Sequence, residues 1–256
     1  MYSMAVFKEG GYRYLPSVFQ YSAGIAAEPG FQLIQARFKS LLPMNEAFIC
    51  IANHLKKIGR PLTAFAHCEL RSPKQFDDQG FIDFNRKYVN TLEQWGIYQA
   101  ESKEHSFISP VARTNVCPEY FGPTEVAMYS FAYTVPTSSK SPGGFILSGG
   151  GDARSGSEPY RDRIIAYGDT SNSGLKLKME FVSNEMTKRL KSLGFDWSDV
   201  TSAQAYSVHN IGGLVEEVFA KQGYLHSGLN WHFARPPVAG LDFEMDLRGF
   251  VDQIFI

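Results

Sequence analysis

Leu190-Lys191-Ser192-Leu193-Gly194 closes an apolar helical stretch, and the elements after it repeat an order already written once in the chain. They are a strand ending near Val208, a helix around Glu216 and the pair Ala234-Arg235. The earlier copy is Leu55-Lys56-Lys57-Ile58-Gly59, then a strand ending at Arg71, a helix around Asn85 and the pair Ala112-Arg113. Fewer residues separate Gly194 from Arg235 than Gly59 from Arg113, so the second copy has the shorter connections. Self-similarity on this scale means that the fold is to be read as one unit used twice.

Each copy carries the same elements. Residues 12–27 are aromatic and β-branched, break at Glu28-Pro29-Gly30 and resume over 31–40, which predicts a hairpin. Phe48, Ile51, Ala52, Leu55 and Ile58 keep the helical period after Pro43, with Asn45 as N-cap and Gly59 as stop. A strand over 63–71, a helix over 81–95 and strands over 110–116 and 125–135 complete the first copy. The second has strands over 145–148 and 163–167, a helix over 175–193, a strand over 201–208 and a helix over 211–222. Residues 231–233 and 241–251 end its sheet. Each half is thus an α+β layer, two helices packed on one face of a mixed sheet.

The 256 residues, 44% hydrophobic and 14% aromatic, suffice for two such domains. Their predicted bounds are 1–136 and 137–256, and the seam is the Pro-Thr-Ser-Ser-Lys-Ser-Pro-Gly-Gly run that begins at Pro136. A formal charge of −1, from 25 basic and 26 acidic residues, supplies no field to draw the chain to nucleic acid or an anionic membrane. No charged-then-apolar leader and no spanning apolar run are apparent, so the expected location is the cytoplasm. Cys50, Cys68 and Cys117 are far apart and lack CxxC spacing, which argues against a disulfide framework and predicts buried thiols. His54, His67, His105, His209, His226 and His232 show no HxH or HxxxH spacing, so no metal site is expected. No GxSxG motif marks a serine nucleophile.

The order hairpin, helix, strand, helix, strand, strand resembles the Rid (YjgF-like) superfamily of reactive-intermediate deaminases. In the second half the resemblance is carried by 181–194, Trp197-Ser198-Asp199-Val200, Ala234-Arg235 and Phe243-Glu244-Met245-Asp246. The first half carries it at Phe84-Asn85-Arg86-Lys87-Tyr88 and Pro110-Val111-Ala112-Arg113-Thr114. It implies a tandem duplication of a Rid-like, chorismate-mutase-like β-β-α-β-α-β-β unit. The tandem layout is similar to the two-domain 2-aminomuconate deaminase branch, which implies a role in the catabolism of aromatic compounds. The implied activity is hydrolytic release of ammonia from an enamine or imine acid, without metal or cofactor. The implied substrate is 2-aminomuconate or 2-amino-5-chloromuconate, and the product a 2-oxo or 2-hydroxy acid. A generalist 2-imino acid deaminase and a non-catalytic ligand-binding protein are the alternatives. The resemblance also implies a homotrimer with sites between domains.

Such chemistry needs a cation for the substrate carboxylate and a group that positions and deprotonates water. Arginine suits the first task, because its planar guanidinium holds a carboxylate by two parallel hydrogen bonds. Arg235 is the expected catalytic anchor and Arg113 its counterpart in the first half; either would serve equally well in an ion pair with an acid on a neighbouring strand. In Phe243-Glu244-Met245-Asp246-Leu247 the two acids lie two apart and share one strand face. Two close carboxylates cannot both ionise cheaply, so Glu244 or Asp246 is the expected general base, with Arg248 on the same side as an alternative salt-bridge partner. Met128-Tyr129-Ser130-Phe131 in the first half has no carboxylate, so that half is expected to lack the catalytic acid. The resemblance adds Asn85 to the pocket and makes Ser148-Gly149-Gly150 a turn whose N–H groups face the substrate carboxylate.

Overall fold

The computed structural model describes residues 2–102, 106–140 and 143–256. His105, and the part of the expected seam at Ser141-Pro142, lie outside the described residues. The first half runs β1 (Ala5–Phe7), β2 (Tyr12–Tyr14), β3 (Gly24–Ala27), β4 (Phe31–Pro43), α1 (Met44–Lys57), β5 (Phe65–Arg71), α2 (Asp78–Gln94), β6 (Ala112–Pro118) and β7 (Ala127–Pro136). The second runs β8 (Phe145–Gly151), α3 (Tyr160–Arg163), α4 (Asn172–Leu193), β9 (Ser202–Tyr206), α5 (Gly212–Val218), β10 (Asn230–His232), β11 (Ala234–Arg235), β12 (Glu244–Gly249) and β13 (Asp252–Phe255).

Among the described residues the strands form two mixed sheets, in the orders β11-β6-β5-β7-β4-β13 and β1-β2-β3-β8-β12-β9-β10. The duplication is visible in their centres. In one, β6 and β5 are parallel and β7 runs antiparallel between β5 and β4. In the other, β10 and β9 are parallel and β12 runs antiparallel between β9 and β8. The topological counterpart of β6 is therefore β10, whereas Arg235 lies on β11, which pairs with the end of β6 itself.

The predicted seam falls where the chain leaves the first sheet after β7 and enters the second at β8. The sheets nevertheless trade strands across it: β1 to β3 join the second sheet, and β11 and β13 join the first. The expected hairpin over 12–40 does not form. β3 pairs with β2 and β8, and the chain turns at Gly30 (φ +85°) to place β4 in the other sheet beside β7 and β13.

Apolar spacing places the helices outside and the sheets face to face. Phe48, Ile51 and Leu55 of α1 and Tyr88 and Leu92 of α2 cover Phe65, Cys68 and Phe131 of the first sheet. On the second sheet, Leu147, Met245 and Leu247 lie beneath Met179, Met186 and Leu190 of α4 and Leu214 of α5. Tyr12, Ile25, Leu33, Ala66, Ala112 and Ile146 fill the space between the sheets, completing a helix-sheet-sheet-helix sandwich. Among the described residues no helix is long and apolar enough to cross a membrane.

Local chemistry sets the helix ends. The Asp77 carboxylate accepts from Gly80 N at 2.7 Å to start α2, the Ser171 hydroxyl accepts from Gly174 N to start α4, and Gly194 (φ +87°) ends it. Asn45 is not a cap, since α1 starts directly after Pro43, which contributes no side-chain acceptor. The expected strand over 163–167 does not form: Arg163 ends α3, Ile164 makes an isolated bridge to Ala153 and 165–167 turn, while Arg163 donates to the carbonyls of Glu158 and Arg154 and folds the 153–163 segment into a compact strap. The expected turn at Ser148-Gly149-Gly150 is the end of β8.

Candidate active site

A cavity of about 140 Å³ opens between the two sheets. Arg113 and Asn115 of β6 line it from one side, Gly149 to Gly151 of β8 and Glu244 of β12 from the other. Tyr21, Arg189 of α4 and the strap residues Arg154, Tyr160 and Arg163 complete the walls. Asp78 accepts from Tyr160 N at 3.2 Å, which ties the strap to the first turn of α2.

Arg113 is 2% exposed and held from every side. Its backbone N–H donates to Ser148 Oγ at 3.0 Å, and that hydroxyl donates to the Ser22 carbonyl. Its Nη2 donates to Asn85 Oδ1 at 2.6 Å. The guanidinium lies over the rings of Tyr21, Tyr88 and Phe84, with centroids at 4.9, 4.7 and 5.5 Å. Nη1 is buried and has no partner among the described residues. A cation so braced, with one buried donor unfilled, on a residue that lines the cavity, suits an anion.

Glu244 starts β12 and is 4% exposed. No side chain or backbone group among the described residues donates a hydrogen bond to its carboxyl. Gly149 leaves it room, since a Cβ there would run into Glu244 Oε1. Burial drives its pKa well above the ordinary carboxylate value, and Asp246 adds to the rise while Arg189 and Arg113 oppose it. Burial thus favours the neutral acid, a form able to give a proton and take one back.

Asp246, two residues on, has a different setting. It accepts from Tyr206 Oη at 2.7 Å and Thr114 Oγ1 at 3.0 Å and pairs with Arg248 at 3.2 Å. Arg248 also reaches Glu69 at 3.0 Å and Gln35 Oε1 at 3.1 Å, so this network joins the two sheets. Burial raises Asp246, with Arg248 opposing; at Glu69, Arg248 and Arg71 outweigh burial and hold the carboxyl below its ordinary value. None of Asp246, Arg248 and Glu69 lines the cavity.

The structure thus brings together Arg113, Glu244, Gly149 and Gly150, with Asn85 and Ser148 bracing Arg113 from behind. It does not bring Arg235 or Asp246 to them. Arg235 is bound in two places by Glu119, Nε to Oε2 at 2.6 Å and Nη2 to Oε1 at 2.9 Å, with its side chain 38% exposed. That is the neighbouring-strand ion pair its sequence context allowed. Tyr21, Asn115 and Arg189 carry no motif that would have singled them out.

A second buried group stands behind Glu244. Lys178 of α4 is fully buried and bridges Asp152 at 2.9 Å and Asp242 at 3.1 Å. Asp152 Oδ1 in turn accepts from the N–H groups of Asp242 and Phe243. Lys178 and Asp152 thereby fix the chain that leads into Glu244, which lies opposite Gly151 at the end of β8.

The family model described as 2-aminomuconate deaminase CnbZ matches residues 4–254. A curated relative, 2-amino-5-chloromuconate deaminase of Comamonas testosteroni, is 57% identical over 250 residues, covering 97% of this chain and 97% of its own. Among solved structures, a chorismatase is 13% identical, covers 93% of this chain and 77% of its own, and superposes with a TM-score of 0.52, a likeness of fold alone. A YjgF/YER057c/UK114 family member from Mycobacterium tuberculosis is 14% identical over 42% of this chain and 79% of its own, with a TM-score of 0.28.

Proposed function

Because this chain belongs to the 2-aminomuconate deaminase family, we propose that it hydrolyses a 2-aminomuconate-type enamine or imine dicarboxylate and releases ammonia, with Arg113 and Glu244 as its catalytic residues. The observation that carries the assignment is the buried Glu244 carboxyl, which lines one cavity together with two guanidiniums, Arg113 and Arg189. Burial and the nearby Asp246 favour the uncharged form of Glu244, and the two guanidiniums then suit an anionic substrate.

Arg113 grips the carboxylate beside the reacting carbon through its unfilled Nη1. Glu244 donates its proton to the enamine carbon, giving the iminium ion. As a water oxygen bonds to the C=N carbon, the Glu244 carboxylate takes the proton that the water releases, and a carbinolamine results. That species collapses when its hydroxyl proton moves to nitrogen and the C–N bond breaks, so that enamine and water leave as 2-oxo acid and ammonia. Gly149 matters because any side chain there would displace Glu244.

The test is ammonia release from freshly generated 2-aminomuconate and from 2-iminopropionate made in situ. Glu244→Gln is expected to lower turnover by about 10²- to 10⁴-fold, the range for loss of a general acid–base. Its stability should move the other way. A carboxyl with a raised native pKa makes wild-type stability fall as pH rises from the ordinary value of 4.5 towards the native one, and the glutamine variant should lose that dependence. Release from neither substrate would overturn the reading in favour of a binding protein.

The finer organisation belongs to the same proposal. The duplicated halves 1–136 and 137–256 act as two Rid-like units of a cytoplasmic homotrimer serving the breakdown of aromatic compounds. The repeated strand order in the two sheets supports the two-unit part of this reading. Sedimentation should give the mass of three chains, and a mass of one would overturn it.

A further inference from the structure

Two cavities meet at Arg189. The one that holds Arg113 and Glu244 shares Gly150, Gly151, Arg154 and Arg189 with a second, of about 250 Å³, which continues along α4 past Phe181 and Glu185. Arg113 and Glu244 line only the first. Resting on the deaminase reading above, we propose that Arg154 and Arg189 form a subsite at this junction for the second carboxylate of the substrate, and that they select dicarboxylic over monocarboxylic acids.

Neither arginine is neutralised by the protein. Arg154 lies on the strap, and its Nη2 meets the Asp162 carbonyl at 3.5 Å; among the described residues it has no acidic partner. Arg189 donates from Nη1 to the Ser148 carbonyl at 3.0 Å and to the Ala23 carbonyl at 3.5 Å, and has no acidic partner among the described residues either. Its Nε is buried with nothing to bond. Glu185, the carboxylate that lines the second cavity, is engaged by Lys188 at 2.6 Å. Arg163, the remaining strap arginine, is committed to the carbonyls of Glu158 and Arg154.

Arg189 is also set in place before any ligand arrives. Its guanidinium lies against β8 at Gly150, where a Cβ would stand 3.1 Å from both Nη atoms and 2.7 Å from Met186 Cε. A cation fixed by two carbonyls and a glycine loses little freedom on binding. Arg113, Arg189 and Glu244 line the same cavity, and Arg189 alone of the three also lines the second. A substrate with a carboxylate at each end, one on Arg113 and the other at the junction, carries its reacting carbon across Glu244. A monocarboxylate leaves the junction guanidiniums without a counter-charge, which is discrimination by an unmet partner.

Unreactive ligands test this independently of turnover. Calorimetric binding of hexa-2,4-dienedioate and hexa-2,4-dienoate would be compared in the wild type and in Arg154→Gln, a change on the strap surface. The dioate is expected to bind the wild type at least about tenfold more tightly than the monoacid, as loss of a charge-assisted hydrogen bond implies. Arg154→Gln should remove most of that preference and leave the monoacid within about twofold. Gly150→Ala, which crowds Arg189 without deleting it, should narrow the preference as well. Equal affinities in the wild type, or an unchanged ratio in both variants, would overturn the subsite. A preserved ratio in a protein that releases no ammonia would sink the deaminase reading alone.

Discussion

Arg113 and Arg235 each follow an alanine in a strand, and the fold puts them to opposite uses. Arg113 is enclosed by three aromatic rings, an asparagine and a serine, with one donor left over. Arg235 stands at the rim with both ends of its fork filled by Glu119. Glu244 and Asp246 differ in the same manner: one carboxyl is buried without donors beside a cavity, the other is saturated by Tyr206, Thr114 and Arg248. In both pairs the chemically available group is the one whose valences the protein has left open. On the proposed reading the saturated member serves architecture.

The comparison breaks most easily at the arginines. Arg113→Lys keeps the charge but loses the fork, and kcat/KM for 2-aminomuconate should fall at least about a hundredfold. Arg235→Lys should leave it within about twofold and cost under about 1 kcal/mol, as expected of an exposed ion pair. Equal losses from the two replacements would remove the distinction between them. An effect on stability instead of turnover concerns the saturated acid. Arg248→Met strands Glu69 and Asp246 in the interior and should cost about 3–5 kcal/mol, read as a lower denaturation midpoint. Adding Glu69→Gln and Asp246→Asn should recover part of it; no recovery would mean that the network acts through packing instead of charge.

Much of this architecture was legible in the residues. The apolar periods of α1, α2 and α4 and the stops at Gly59 and Gly194 mark helices whose faces are set locally. The repeat itself emerges as one strand order used twice. Glu244 and Arg113 could be named as candidates because the chemistry needs those residue types. They could not be separated from Asp246 and Arg235, since the deciding neighbours lie far away in sequence: Glu119 for Arg235, and Thr114 and Tyr206 for Asp246. Lys178 was invisible for a related reason. In Leu175-Lys176-Leu177-Lys178-Met179 it looks like a solvated helix position, and only the packing of α4 on β8 and β12 buries it against Asp152 and Asp242. The expected hairpin failed because a glycine turn fixes a change of direction without choosing the sheet to which the next strand belongs.

The exchange of strands between the sheets governs how this chain can be made. β4, the first long strand to be synthesised, has β13 as its parallel neighbour, so the first sheet waits for residues 252–255 before that edge is covered. A nascent first half leaving the ribosome holds an open β4 edge until the second half has emerged. Pairings of such sequence separation are slow to close, and folding here is a joint, late event of both halves instead of two successive ones.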